Sequence, residues 1–77
     1  MNLIGTHVNW TKLKGKSNPS MHETKGFGSL YILEVGKRMY IVGDYGVTTT
    51  EVKEIREGDD GILVYTQNSV YLIEKWR

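Results

Sequence analysis

No cysteine occurs in this chain, so a disulfide scaffold and any zinc site built on thiolates are excluded. Proline occurs once, at Pro19, so strand ladders elsewhere meet no imino acid. Excess charge of either sign is missing: 10 Lys+Arg stand against 9 Asp+Glu, a net charge of +1. A duplex-binding protein usually shows a strongly basic face, so long nucleic acid is disfavoured as a ligand. No run reaches the 18 apolar residues of a membrane-crossing helix, and Met1–His7 has neither the basic start nor the apolar stretch of a signal peptide. The expectation is a cytoplasmic protein with no membrane partner. Absent too are the phosphate-cradling patterns GxxxxGK[ST] and GxGxxG. A disordered tail is ruled out by balanced charge and by plentiful Val, Ile, Leu and Tyr.

The chain is 77 residues long, enough for one small domain spanning 1–77. A domain this size buries only roughly 60% of the surface its unfolded chain exposes. With no disulfide to compensate, a second subunit completing the core is expected, hence a homo-oligomer. Charge is unevenly spread. Residues 1–28 carry Lys12, Lys14, Lys16 and Lys25 against Glu23 alone, while residues 29–77 carry eight acidic and six basic residues. The basic front holds a Gly-, Ser-, Asn- and Pro-containing stretch without period, read as a flexible basic loop at about 15–27.

From Ser29 onward the pattern is that of strands. Leu30–Val35 and Arg38–Val42 flank Gly36-Lys37, which predicts a two-residue hairpin with Gly36 at the first central position of a type II′ turn. That register pairs Val35 with Arg38, Leu33 with Tyr40 and Tyr31 with Val42. Both faces of the hairpin are apolar, which predicts cover on both sides. Gly43–Gly46 reads as a turn. Val47–Ile55 is a more polar strand whose Val52 and Ile55, three apart, predict a β-bulge. Gly58–Gly61 is a loop, Ile62–Thr66 a strand, Gln67-Asn68 or Asn68-Ser69 a turn, and Val70–Trp76 the last strand. A further strand within Gly5–Leu13 carries Val8 and Trp10 on one face. The fold class is therefore all-β: a small antiparallel, SH3-like or OB-like partly open barrel of five or six strands.

Catalytic chemistry finds little support. His7 and His22 have no motif around them, and neither has a partner at metal-ligand spacing. Glu51, Glu54 and Glu57 are spaced by three, so on a strand they do not share one face. No catalytic residue, metal or cofactor is expected, and the reading is a non-enzymatic binding protein. Its most suggestive feature is the aromatic complement of five Tyr, two Trp and one Phe. Bases stack on such rings while Lys neutralises phosphate. Lys14, Lys16 and Lys25 with Trp10 and Phe27 supply both ingredients. Gly26-Phe27-Gly28-Ser29 suits close approach of backbone N–H groups to an anion. Tyr45 and the hydroxyls of Thr48 and Thr49 complete the candidate ligand site.

The segment Gly46–Glu74, with its Thr48-Thr49-Thr50 run, the Gly58-Asp59-Asp60-Gly61 loop and Tyr65-Thr66-Gln67-Asn68-Ser69-Val70-Tyr71-Leu72, resembles the short strand-rich accessory proteins of bacteriophages and prophages. Some proteins of that class counter host defence by occluding a host protein or by sequestering a nucleotide signal. The resemblance implies that class of roles; joined to the aromatic surplus, the Lys-rich front and the Thr run, the first expectation is an anti-defence sponge for a small anionic, nucleotide-type ligand, acting in the host cytoplasm. A protein–protein inhibitor or adaptor of a host protein is the alternative. Single-stranded nucleic-acid binding ranks third.

Overall fold

The computed structural model describes residues 3–15 and 25–76. Six strands follow one another: β1 (His7–Gly15), β2 (Lys25–Ile32), β3 (Arg38–Tyr45), β4 (Val47–Glu57), β5 (Ile62–Thr66) and β6 (Ser69–Lys75). Each pairs antiparallel with the next, and β6 pairs with β1, so the sheet closes into a barrel. The all-β antiparallel reading holds. The expected gap in the barrel is absent, because β1 and β6 pair from Val8↔Lys75 to Gly15↔Ser69. Among the described residues, closure leaves no edge strand to template further pairing. No helix among the described residues is long and apolar enough to cross a membrane.

Alternation fills the interior. Val8 and Trp10 of β1, Leu30 of β2, Met39 and Ile41 of β3, Val52 of β4, Ile62 and Val64 of β5 and Tyr71 and Ile73 of β6 are all buried. The Trp10 and Tyr71 rings meet edge-on at 6.1 Å. Leu3 closes one end, held by its carbonyl accepting from the Thr6 N–H at 3.0 Å and the Thr6 hydroxyl at 2.6 Å. The bulge expected in β4 is present: its register on β5 shifts between Val52 and Glu54. That irregularity lets one strand of 11 residues bend to serve both β3 and β5. Between β5 and β6 the two-residue turn Gln67-Asn68 is pinned by the Thr66 hydroxyl, which accepts from the Ser69 N–H at 3.1 Å.

Three expectations are corrected. Gly36 is not the first central residue of a II′ hairpin. Lys37 N–H donates to Glu34 O (3.1 Å), so Gly36 is the third residue of a Glu34–Lys37 turn, and its φ of 92° is the type II value that glycine supplies. The strands separate ahead of this turn because β4 takes its backbone: Gly36 N–H donates to Val52 O and Val52 N–H to Lys37 O, both at 2.9 Å. The register is accordingly Leu30↔Ile41, Ser29↔Val42 and Ile32↔Tyr40. Second, the outer face of that hairpin is uncovered by the described residues, with Tyr31 59%, Val35 55%, Tyr40 40% and Val42 42% exposed. Six strands closed on themselves enclose only their inner face, and no further layer of described chain lies outside. Third, the loop expected at 15–27 is framed by strand at both ends: Gly15 is the last residue of β1, and Lys25, Gly26 and Phe27 open β2. The rest of it, residues 16–24, lies outside the described residues.

Candidate ligand groove

The run Lys25-Gly26-Phe27-Gly28 is strand, and its alternation sets the site. Lys25 and Phe27 point outward and are exposed, while Gly26 and Gly28 face inward. The inward positions admit no side chain. A Cβ on Gly26 would sit 2.7 Å from Trp10 Nε1 and closer still to the Tyr45 carbonyl oxygen; one on Gly28 would sit 2.9 Å from Ile41 Cγ2. These glycines let β2 lie close on Trp10 and β3. That close packing is the duty the structure shows for these two glycines.

Trp10 is 2% exposed and lies beneath the groove. Its indole N–H donates to the Tyr45 carbonyl at 2.8 Å, which fixes the backbone that carries the Tyr45 ring. Trp10 thus supports the site from below. Above it, Phe27 and Tyr45 are register partners across β2 and β3, with ring centroids 5.2 Å apart and planes inclined by 39°. Trp76 also meets Phe27, at 5.0 Å, and His7 meets Trp76 edge-on at 5.6 Å. The expected turn over Gly43–Gly46 is present, Gly46 N–H donating to Gly43 O at 3.1 Å, and its third residue, Tyr45, is also the last residue of β3. A groove of about 420 Å³ runs beside these rings, lined also by Asn9, Thr11, Lys25 and Glu74.

Of the sequence-predicted site residues, the structure gathers Lys25, Phe27, Tyr45 and the underlying Trp10. Thr49 is not available to a ligand: it is buried, its hydroxyl accepting from Met39 N–H at 3.1 Å and donating to Thr50 O at 2.7 Å. Thr48 is exposed but lies opposite Tyr40, away from the groove. Lys14 belongs to β1, its backbone opposite Val70. Lys16 lies outside the described residues. Missed by sequence reasoning were Asn9, Thr11, Glu74, Trp76 and His7. A signal existed for Asn9 and Thr11, since Val8 and Trp10 on one face of a strand send their neighbours to the other. None existed for Glu74, which reaches the groove only through the β1–β6 seam, nor for Trp76, which meets Phe27 just beyond the end of β6.

A second exposed apolar surface lies on the outer face of β2 and β3. The Tyr31 and Tyr40 rings meet edge-on at 6.0 Å, and a groove lined by Ile4, Ser29, Tyr31 and Val42 runs along them. No charged residue lines it.

Two acidic residues of β4 have solvent-exposed partners: Lys53 Nζ meets Glu51 at 2.6 Å, and Arg56 Nε pairs with Glu54. The Glu54 carboxylate holds the Arg56 guanidinium above its ordinary range. Among the described residues no group of three or more His, Asp or Glu is arranged to hold a metal. No protein-family model, curated protein or solved structure matches this chain.

Proposed function

We propose a non-enzymatic binding protein that holds a nucleotide-type anion on the outer face of its barrel. The observation that carries this reading is the unbroken row of exposed rings, Trp76, Phe27 and Tyr45, beside a groove with Lys25 at its rim. A nucleobase gains about 1–3 kcal/mol by stacking on an aromatic ring, and each base has a face to offer. An adjacent ammonium neutralises the phosphate with a charge-assisted contact. Lys25 stands two residues from Phe27 on the same strand, about 7 Å along it, a spacing that suits a base on the ring and a phosphate on the ammonium. The resemblance to phage accessory proteins would make this a sequestering, anti-defence role in the host cytoplasm.

Openness of the groove favours one related reading, in which the bases are those of a single strand. Calorimetric titration with 5′-mononucleotides and with a pentathymidylate separates the two. A free nucleotide ligand gives binding by the mononucleotides at least equal to the oligonucleotide. A single-strand ligand gives far tighter oligonucleotide binding that falls steeply with salt. Phe27→Ala should weaken either by about tenfold. No binding in either arm, or binding untouched by Phe27→Ala, overturns the proposal.

For the second apolar face we propose a second copy of this chain as the occupant. The groove along Tyr31 carries no charge, so two identical faces meet without like-charge repulsion, and the homo-oligomer expected from chain length acquires a surface.

A further inference from the structure

Glu74 is the residue that a simple anion site leaves unexplained. A carboxylate lining a groove that receives phosphate repels its ligand unless it faces hydrogen-bond donors. No described residue forms an ion pair with it. Its place in the barrel is definite: Glu74 is opposite Asn9 on β1, Asn9 is opposite Phe27 on β2, and Phe27 is opposite Tyr45 on β3. One row across four neighbouring strands therefore reads carboxylate, carboxamide, ring, ring. Buried Val8, Trp10 and Ile73 show that Asn9 and Glu74 belong to the outer face, where both line the groove.

We infer that the groove selects guanine, with Glu74 and Asn9 reading the edge of the base. This rests on the base-stacking function proposed above. Strands lie about 4.8 Å apart, so Asn9 is one step and Glu74 two steps, about 10 Å, from the Phe27 backbone. A purine seated on Phe27 with its phosphate toward Lys25 along the strand turns its Watson–Crick edge across the strands, toward β1 and β6. An ionised carboxylate only accepts, with two oxygens side by side, and a carboxamide can donate. Guanine alone among the common bases presents two adjacent donors, N1–H and the N2 amine, with the acceptor O6 beside them. Adenine and cytosine each set a lone amine donor beside an acceptor, and uracil flanks its one donor with acceptors. Glu74 meets the two guanine donors and Asn9 the O6 acceptor. The acidic residue is thereby accounted for as a base reader held apart from the phosphate.

The test is calorimetric titration of the full chain with the 5′-monophosphates of guanosine, inosine, adenosine, cytidine and uridine. Guanosine monophosphate should bind about tenfold or more tighter than the adenosine, cytidine and uridine compounds, the discrimination expected of one bidentate contact. Inosine monophosphate, which lacks the N2 amine, should fall between. Glu74→Gln should bring guanosine and adenosine monophosphates to within about threefold of each other without weakening the latter. Asn9→Ala should weaken guanosine and inosine compounds together, because both carry O6. Equal affinity for all five, or a guanosine preference that survives Glu74→Gln, overturns this inference while leaving base stacking in place. Failure of all five to bind overturns this inference, and base stacking falls with it only if pentathymidylate does not bind either.

Discussion

Two residues beneath the surface, Gly26 and Trp10, decide whether the exposed rings can form a row at all. Trp10 holds the Tyr45 carbonyl, and Gly26 leaves the room for it to do so. Gly26→Ala should destabilise the barrel by about 1–3 kcal/mol or more, because the atoms its Cβ meets are backbone and a packed indole that cannot swing aside. Chemical denaturation measures this, and an unchanged midpoint would show that β2 does not lie as close to β3 as described. Tyr71 makes a prediction of a different kind. Burial raises its hydroxyl above the ordinary value near 10, with a side-chain hydrogen bond to Ser69 acting the other way. A phenol harder to ionise when folded than when unfolded contributes stability in full below about pH 10, and that contribution is lost as pH rises through the folded-state value. Denaturation at pH 9 and pH 11 should therefore show a fall in stability, and Tyr71→Phe should show a smaller one. Equal falls would mean that Tyr71 ionises as freely in the barrel as outside it.

Among the elements, β1 and β2 carry the basic front of the chain and much of the groove. Changing Lys14, Lys16 and Lys25 together to Ala should weaken binding of a nucleotide while barely moving the melting temperature. Exposed substitutions usually change stability by less than about 0.5 kcal/mol, whereas a charge-assisted hydrogen bond contributes about 1.5–3 kcal/mol. Parallel titration and thermal melting separate the two effects; intact binding would leave the basic front as a solvated connection only. β2 also shows why elements are harder to read than residues. Leu30–Ile32 is apolar enough to announce a strand, but Lys25–Gly28 has two glycines, which weaken any strand by pattern alone. Their reason lies on neighbouring strands, in Trp10 and Ile41. The Gly-Asp-Tyr-Gly run was legible as a turn, but that β3 continues through it to Tyr45, opposite Phe27, was not. By contrast the β4 bulge was legible, since Val52 and Ile55 break the two-residue period themselves.

At the scale of the whole molecule, the barrel encloses one layer of side chains and leaves Tyr31, Tyr40, Val42 and Ile4 facing outward together. Sedimentation at micromolar concentration should find a dimer or larger assembly, and Tyr31→Ser with Tyr40→Ser should return a monomer with its fold intact by circular dichroism. A monomeric native protein would show that this face is not closed by a second copy and would return it to the host-protein reading. The apolar hairpin faces were visible in the sequence; which of them is the inside was not.

Local pattern determined that this chain forms antiparallel strands, roughly where they run, and which alternate residues are apolar, because period-two burial and turn chemistry act over a few neighbouring residues. It also placed Lys25, Phe27 and Tyr45 among the residues to watch. Only the tertiary structure decided that β6 returns to β1 and that Glu74, Asn9, Phe27 and Tyr45 stand in one row. The physical reason is that strands join through backbone N–H and C=O groups that nearly every residue carries alike. The partner and register of strands distant in sequence are therefore chosen by how the enclosed side chains fill the barrel, here Trp10 against Tyr71 and Gly26 beside Trp10.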